Sequence, residues 1–194
     1  MRIDKTGLLD SISVWNNFVG RKIKLVACGG TAMTLLEVKV STKDIDLMVP
    51  DEKEYQALLS NLIKSGYKQT TGSGWAKDGV FVYDIYCGNR IHTTELIESP
   101  LLQGNSFLVK EFTKIELRVL NYYDLITSKL MRGTGVDHDD CTMLAEAKRK
   151  EIDFEKLESR FKETVSYDIS EERVLQNFKD FKNILIKKRI AYVK

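Results

Sequence analysis

Residues Leu25 to Pro50 read LVACGGTAMTLLEVKVSTKDIDLMVP, and this stretch decides the fold. Just ahead of the glycines, Ile23 to Cys28 (IKLVAC) is a short apolar run rich in branched residues, which predicts a buried strand. Gly29 and Gly30 carry no Cβ, so the backbone can turn sharply and approach a ligand closely. Thr31 to Leu36 (TAMTLL) predicts the first turns of a helix. A strand, a glycine turn and a helix N-terminus aim N–H groups at one point, which suits phosphate. Lys43 to Val49 alternates in the manner of a second strand, with Asp44 and Asp46 on one face and Ile45 and Leu47 on the other. Two neighbouring carboxylates repel unless a cation neutralises them, and Mg²⁺ is commonly held by one or two carboxylates plus substrate phosphates. The stretch therefore predicts a metal pair set against a nucleoside triphosphate.

A third carboxylate is expected on a neighbouring strand. Val80 to Cys87 (VFVYDIYC) is the best later strand, with Asp84 in its middle. An acid in such a run is costly to bury without a partner. Facing Asp44 and Asp46 around metal resolves that cost, and lets Asp84 help remove the proton of an acceptor hydroxyl.

The order apolar-Gly-Gly, spacer, Asp-apolar-Asp-apolar, then a later apolar-Asp-apolar resembles the polymerase-beta-like nucleotidyltransferase superfamily. The wording GGTAMTLL…STKDIDL resembles its small prokaryotic branch, related to abortive-infection nucleotidyltransferases and to the toxin halves of toxin–antitoxin pairs. The resemblance is specific over residues 23–50 and extends more weakly through Asp84 and 121–140. It implies an α/β (α+β) fold, a mixed sheet flanked by helices. A core over residues 1–120 and a C-terminal helical region over 121–194, packed on that core, are expected. It also implies catalytic and metal-binding roles for Asp44, Asp46 and Asp84, with Mg²⁺ or Mn²⁺ as cofactor. The nucleotide-binding set implied is Gly29, Gly30, Thr31, Lys43, Lys129 and Arg132. The branch often has Gly where this chain has Glu37.

Asn121 and Asp124 predict a helix start, by capping and by dipole, and Gly133 predicts its end. Leu125, Lys129 and Arg132 share a face of that helix. Lys129 resembles the basic residue that meets the triphosphate in related proteins, with Arg132 as a second candidate; solvated helix charges are the plainer reading. The run Asp137-His138-Asp139-Asp140 imitates a metal cluster, but Asp137 or a neighbour capping a helix explains it better. Related families carry acids at this point, which leaves a supporting role open for Asp139 or Asp140.

Composition sets outer bounds. With 43% hydrophobic and 30% charged residues the chain is an ordinary globular sequence, and a net charge of +2 does not announce nucleic-acid binding. No apolar run approaches the ~20 residues of a membrane span. Three scattered cysteines, Cys28, Cys87 and Cys141, argue for reduced thiols, and a cytoplasmic protein with no membrane partner is expected. Leu8, Ile12, Trp15 and Val19 mark an opening helix; Asp51 and Glu54 predict a capping box before a helix buried through Tyr55, Leu58, Leu59, Leu62 and Ile63. Strands near 67–71, 80–87, 106–112 and 114–119 complete the sheet; helices near 122–132, 138–149, 153–165 and 171–189 follow.

The function expected is Mg²⁺-dependent transfer of a nucleoside monophosphate from a triphosphate such as ATP to an acceptor hydroxyl. RNA or protein are the first choices of acceptor, and a small molecule such as an aminoglycoside the next. A cognate antitoxin is the expected protein partner. The alternative is a non-catalytic module that binds nucleotide or a partner, with Phe178, Phe181 and Leu185 as a docking stripe.

Overall fold

The computed structural model describes residues 1–167 and 170–192. It divides into two compact units, residues 1–93 with 98–121 and residues 94–97 with 122–194. The first unit runs α1 (Lys5–Phe18), β1 (Ile23–Ala27), α2 (Gly29–Leu35), β2 (Ile45–Val49), α3 (Glu52–Lys64), β3 (Lys68–Gln69), β4 (Gly74–Ala76), β5 (Val82–Cys87) and β6 (Arg90–Ile91). The short β7 (Thr94–Glu95) belongs to the second unit, and β8 (Ser106–Glu111) and β9 (Ile115–Leu120) return to the first. Seven strands form one mixed sheet in the order β3-β4-β5-β2-β1-β9-β8. β1 runs antiparallel to β2 and parallel to β9, while β2 and β5 are parallel.

Alternation along the central strands separates core from site. Ile45 pairs with Tyr83 and Leu47 with Ile85, all four buried; the intervening pair is Asp46 and Asp84. α1 covers the apolar side with Leu8, Ile12 and Trp15. The Trp15 ring tilts onto Tyr83 at 4.7 Å, and its indole N–H donates to the Tyr67 hydroxyl at 2.9 Å. Truncating so large a buried side chain costs about 3–5 kcal/mol. Trp75 is buried on β4 as a hydrophobic anchor.

Local signals depart from expectation at three places in this unit. Asp51 caps α3 by accepting from Glu54 N–H, but the Glu54 carboxylate accepts from Lys24 N–H at 2.7 Å instead of closing a capping box. Of the expected α3 face only Leu58 and Leu62 are buried, and Ile63 is 59% exposed. Glu37 stands in the left-handed region at φ +60, which gives a physical reason for the glycine common there; its carboxylate pairs with Lys5.

The second unit is helical: α4 (Tyr122–Arg132), α5 (Gly135–Ala147), α6 (Phe154–Val165) and α7 (Glu171–Lys187). Phe178, Phe181 and Leu185 are buried with Phe161, so the expected docking stripe is core. Asp124 does more than complement a dipole: it takes two 2.8 Å hydrogen bonds from the Arg160 guanidinium. α5 starts earlier than expected, because Thr134, not Asp137, is the cap. The Thr134 hydroxyl accepts from Asp137 N–H, and the Asp137 carboxylate accepts from Thr134 N–H.

Asp137 also carries a pH signature. Burial works to raise its pKa, but hydrogen bonds from Thr134 and Arg132 and the charges of Arg132 and Lys129 outweigh burial and hold it below 3.8. A carboxyl depressed on folding adds stability that is complete above its unfolded pKa and is lost as pH falls through the folded value. Acid titration of unfolding should therefore show stability falling below about pH 4. An Asp137→Asn variant should flatten that part of the curve.

Candidate active site

The glycine turn forms as the sequence predicts. Cys28 is extended at the end of β1, Gly29 takes φ +54, and α2 begins there. Gly29, Gly30 and Thr31 supply its first N–H groups, which have no carbonyl one turn earlier inside the helix. Close approach disfavours a side chain at either glycine. A Cβ on Gly29 would sit 2.5 Å from Asp46 Oδ2, and one on Gly30 would sit 2.6 Å from Thr42 Oγ1. The turn is thus pressed directly against the Asp46 carboxylate. A Gly29→Ala variant should lose about 1–2 kcal/mol of stability from its positive φ alone, and should displace Asp46 as well. Urea unfolding and an activity assay read the two effects separately.

Asp46 and Asp84 are direct neighbours, paired in register on parallel β2 and β5 and on one face of the sheet. The Asp46 side chain is only 13% exposed, and His92 Nε2 lies 3.9 Å from its Oδ1. Asp84 Oδ1 accepts a 2.7 Å hydrogen bond from the Ser73 hydroxyl. Tyr86 lies two residues beyond Asp84 on the same face of β5, and its hydroxyl is 2.9 Å from His92 Nδ1 and 3.0 Å from Nε2. Burial first, then the negative charge of Asp46 and Asp84, push the Tyr86 phenol far above its usual pKa and keep it protonated.

Asp44 is placed differently from the expected strand. β2 begins at Ile45, and Asp44 is exposed in the bend before it. The reason is local: the Asp44 carbonyl accepts from Thr31 Oγ1 at 3.2 Å and Thr42 Oγ1 at 3.1 Å, in place of a ladder partner. Thr31 Oγ1 also accepts from Asp46 N–H at 2.9 Å, so its hydroxyl fastens α2 to the acid-bearing strand. Lys43 is exposed beside Asp44. Among the described residues, no group of three or more His, Cys, Asp or Glu side chains is arranged to hold a metal ion. The donor set at hand is the Asp46–Asp84 pair. Two carboxylates fit Mg²⁺, which takes one or two from the protein and completes its octahedron with water and phosphate oxygens.

Lys129 and Arg132 lie in the second unit. The solvated-charge reading does not describe Lys129. Its side chain is 4% exposed, with Nζ 2.7 Å from Asp140 Oδ2 and 3.7 Å from Asp137 Oδ1. Arg132 is 37% exposed and donates to Asp137 at 2.6 Å. Asp140 is thereby the partner of Lys129.

Sequence reasoning missed Ser73, Tyr86 and His92. Tyr86 was within reach, since parity on β5 puts it on the face of Asp84. Ser73 carried a faint signal as a polar side chain between two glycines, and His92, in a loop at φ +51, carried none.

Residues 106–190 match a family described as nucleotidyltransferase of unknown function (DUF6036), a segment that begins after Asp84. No curated protein sequence matches the chain. Among solved structures, the chain is similar to ANT(2″)-Ia in complex with adenylyl-2″-tobramycin, at 17% identity and TM-score 0.55 over 82% of this chain and 95% of that one. It is also similar to JHP933 from Helicobacter pylori, at 15% identity and TM-score 0.50 over 92% and 89% of the two chains. Likeness at these identities is one of fold. Among the described residues no helix is long and apolar enough to cross a membrane. The chain thus shares its fold with nucleotidyltransferases, and its residues 106–190 match a nucleotidyltransferase family.

Proposed function

We propose that this chain moves a nucleoside monophosphate from a nucleoside triphosphate to an acceptor hydroxyl, using Mg²⁺ at Asp46 and Asp84. One observation carries the reading: two carboxylates, paired in register on adjacent parallel strands, stand against a glycine turn at a helix N-terminus. The turn N–H groups bind the triphosphate and orient it. When bound, Mg²⁺ neutralises phosphate charge and polarises the reacting phosphorus. Asp84 takes the proton of the acceptor hydroxyl as its oxygen attacks the α-phosphorus and the bond to pyrophosphate breaks. Asp44, in the bend two residues before Asp46, is a third candidate ligand, and Lys43 a candidate phosphate contact. Lys129 and Arg132 enter as cations of α4, held by Asp137 and Asp140.

The acceptor is assigned to the hydroxyl class: RNA, a protein side chain or an aminoglycoside-like small molecule. ANT(2″)-Ia, bound to an adenylylated aminoglycoside, shares the fold and supports including the last. The test is label transfer from each of four α-³²P triphosphates, with Mg²⁺ or EDTA, into cellular RNA, cellular protein and a panel of small hydroxyl compounds. Expected is Mg²⁺-dependent labelling of one acceptor class that an Asp46→Asn variant lacks. Equal labelling by both proteins would refute the proposal.

A further inference from the structure

Ser73 holds the Asp84 carboxylate through a contact that no step of the proposed transfer uses. Its hydroxyl donates to Asp84 Oδ1 at 2.7 Å. The loop that carries it is built for this contact. Gly74 pairs with Asp84 across β4 and β5, and the Ser73 carbonyl accepts from Ile85 N–H at 2.9 Å. Gly74 N–H in turn donates to Thr71 Oγ1 at 2.9 Å, so closely that a Cβ on Gly74 would sit 2.4 Å from that hydroxyl. Thr71, Gly74 and Ile85 therefore fix the Ser73 backbone from both sides, and the hydroxyl meets the acid without a mobile linker.

We infer that Ser73 is a positioning residue for the acid of β5: it occupies Oδ1 of Asp84 and leaves Oδ2 as the oxygen offered to metal and acceptor. A carboxylate that accepts one fixed hydrogen bond has lost most of its rotational freedom before substrate arrives, which preorganises the site. The inference rests on the proposed role of Asp84 as a metal ligand, and it concerns how that role is achieved.

The test compares Ser73→Ala and Ser73→Thr with the wild-type chain. Turnover is measured on whichever acceptor is labelled. Bound Mn²⁺ is counted by EPR with a non-hydrolysable triphosphate present. Removing an outer partner of a metal ligand typically costs about 10- to 100-fold in affinity or activity. Ser73→Ala should lose kcat and Mn²⁺ affinity by that factor, with KM for the triphosphate and the melting temperature unchanged. Ser73→Thr, which keeps the hydroxyl, should restore both. Wild-type kcat and Mn²⁺ affinity in Ser73→Ala, or a threonine variant as impaired as the alanine one, would overturn the inference. An Asp84→Asn control separates the two levels: if it too keeps wild-type turnover and Mn²⁺ binding, the metal role itself is wrong.

Discussion

Replacing Asp46 by Asn is expected to lower nucleotidyl transfer by about a thousand-fold, on the order of 4 kcal/mol of transition-state stabilisation. The substitution keeps the shape of the side chain and removes its charge. Asp46 N–H stays bound to Thr31 Oγ1 and its carbonyl stays bound to Cys28 N–H, so the strand has no reason to move. Melting temperature should be unchanged or raised, because the amide relieves repulsion between two acids that face each other in register. Asp84→Asn should match the loss, and the double variant should be little worse than either, since the acids act as a unit. Steady-state turnover beside thermal melts reads the pair of effects. A variant that keeps turnover and loses stability would make Asp46 a structural acid.

Lys129→Met should be strongly destabilising, by about 3–5 kcal/mol, because it removes the ammonium that sits against the buried Asp140 carboxylate. The ammonium now sits 2.7 Å from Asp140 and 3.7 Å from Asp137, with all three side chains almost wholly buried. Replacing both partners, as Lys129→Met with Asp140→Leu, should recover most of the loss, since Asp137 keeps Arg132. Urea unfolding of the two variants decides this: equal stabilities would show that the pair is not coupled.

Legibility in the sequence followed the range of the forces involved. The glycine turn and the Asp46–Asp84 faces were readable because they depend on local steric freedom and on alternation within one strand. Asp44 was misplaced because hydroxyls of Thr31 and Thr42, from a helix and a loop, compete for its carbonyl; periodicity does not register such bonds. The start of α5 is expected late because Asp137 reads as a cap, whereas Thr134 is the cap and Asp137 its reciprocal partner three residues into the helix. The burial of Lys129 depends on that same turn, which presents Asp137 and Asp140 to it. Glu37 runs the other way: an acid in place of an expected glycine was visible in sequence, and the reason, φ +60, belongs to the backbone alone.

The most direct test is crystallographic: crystals soaked with Mn²⁺ and a non-hydrolysable nucleoside triphosphate, with anomalous data collected at the manganese edge. Expected is a manganese peak at the Asp46–Asp84 pair, with the triphosphate lying over Gly29 and Gly30. Manganese bound elsewhere, or a triphosphate seated away from that turn, would contradict the metal pair as the centre of the chemistry.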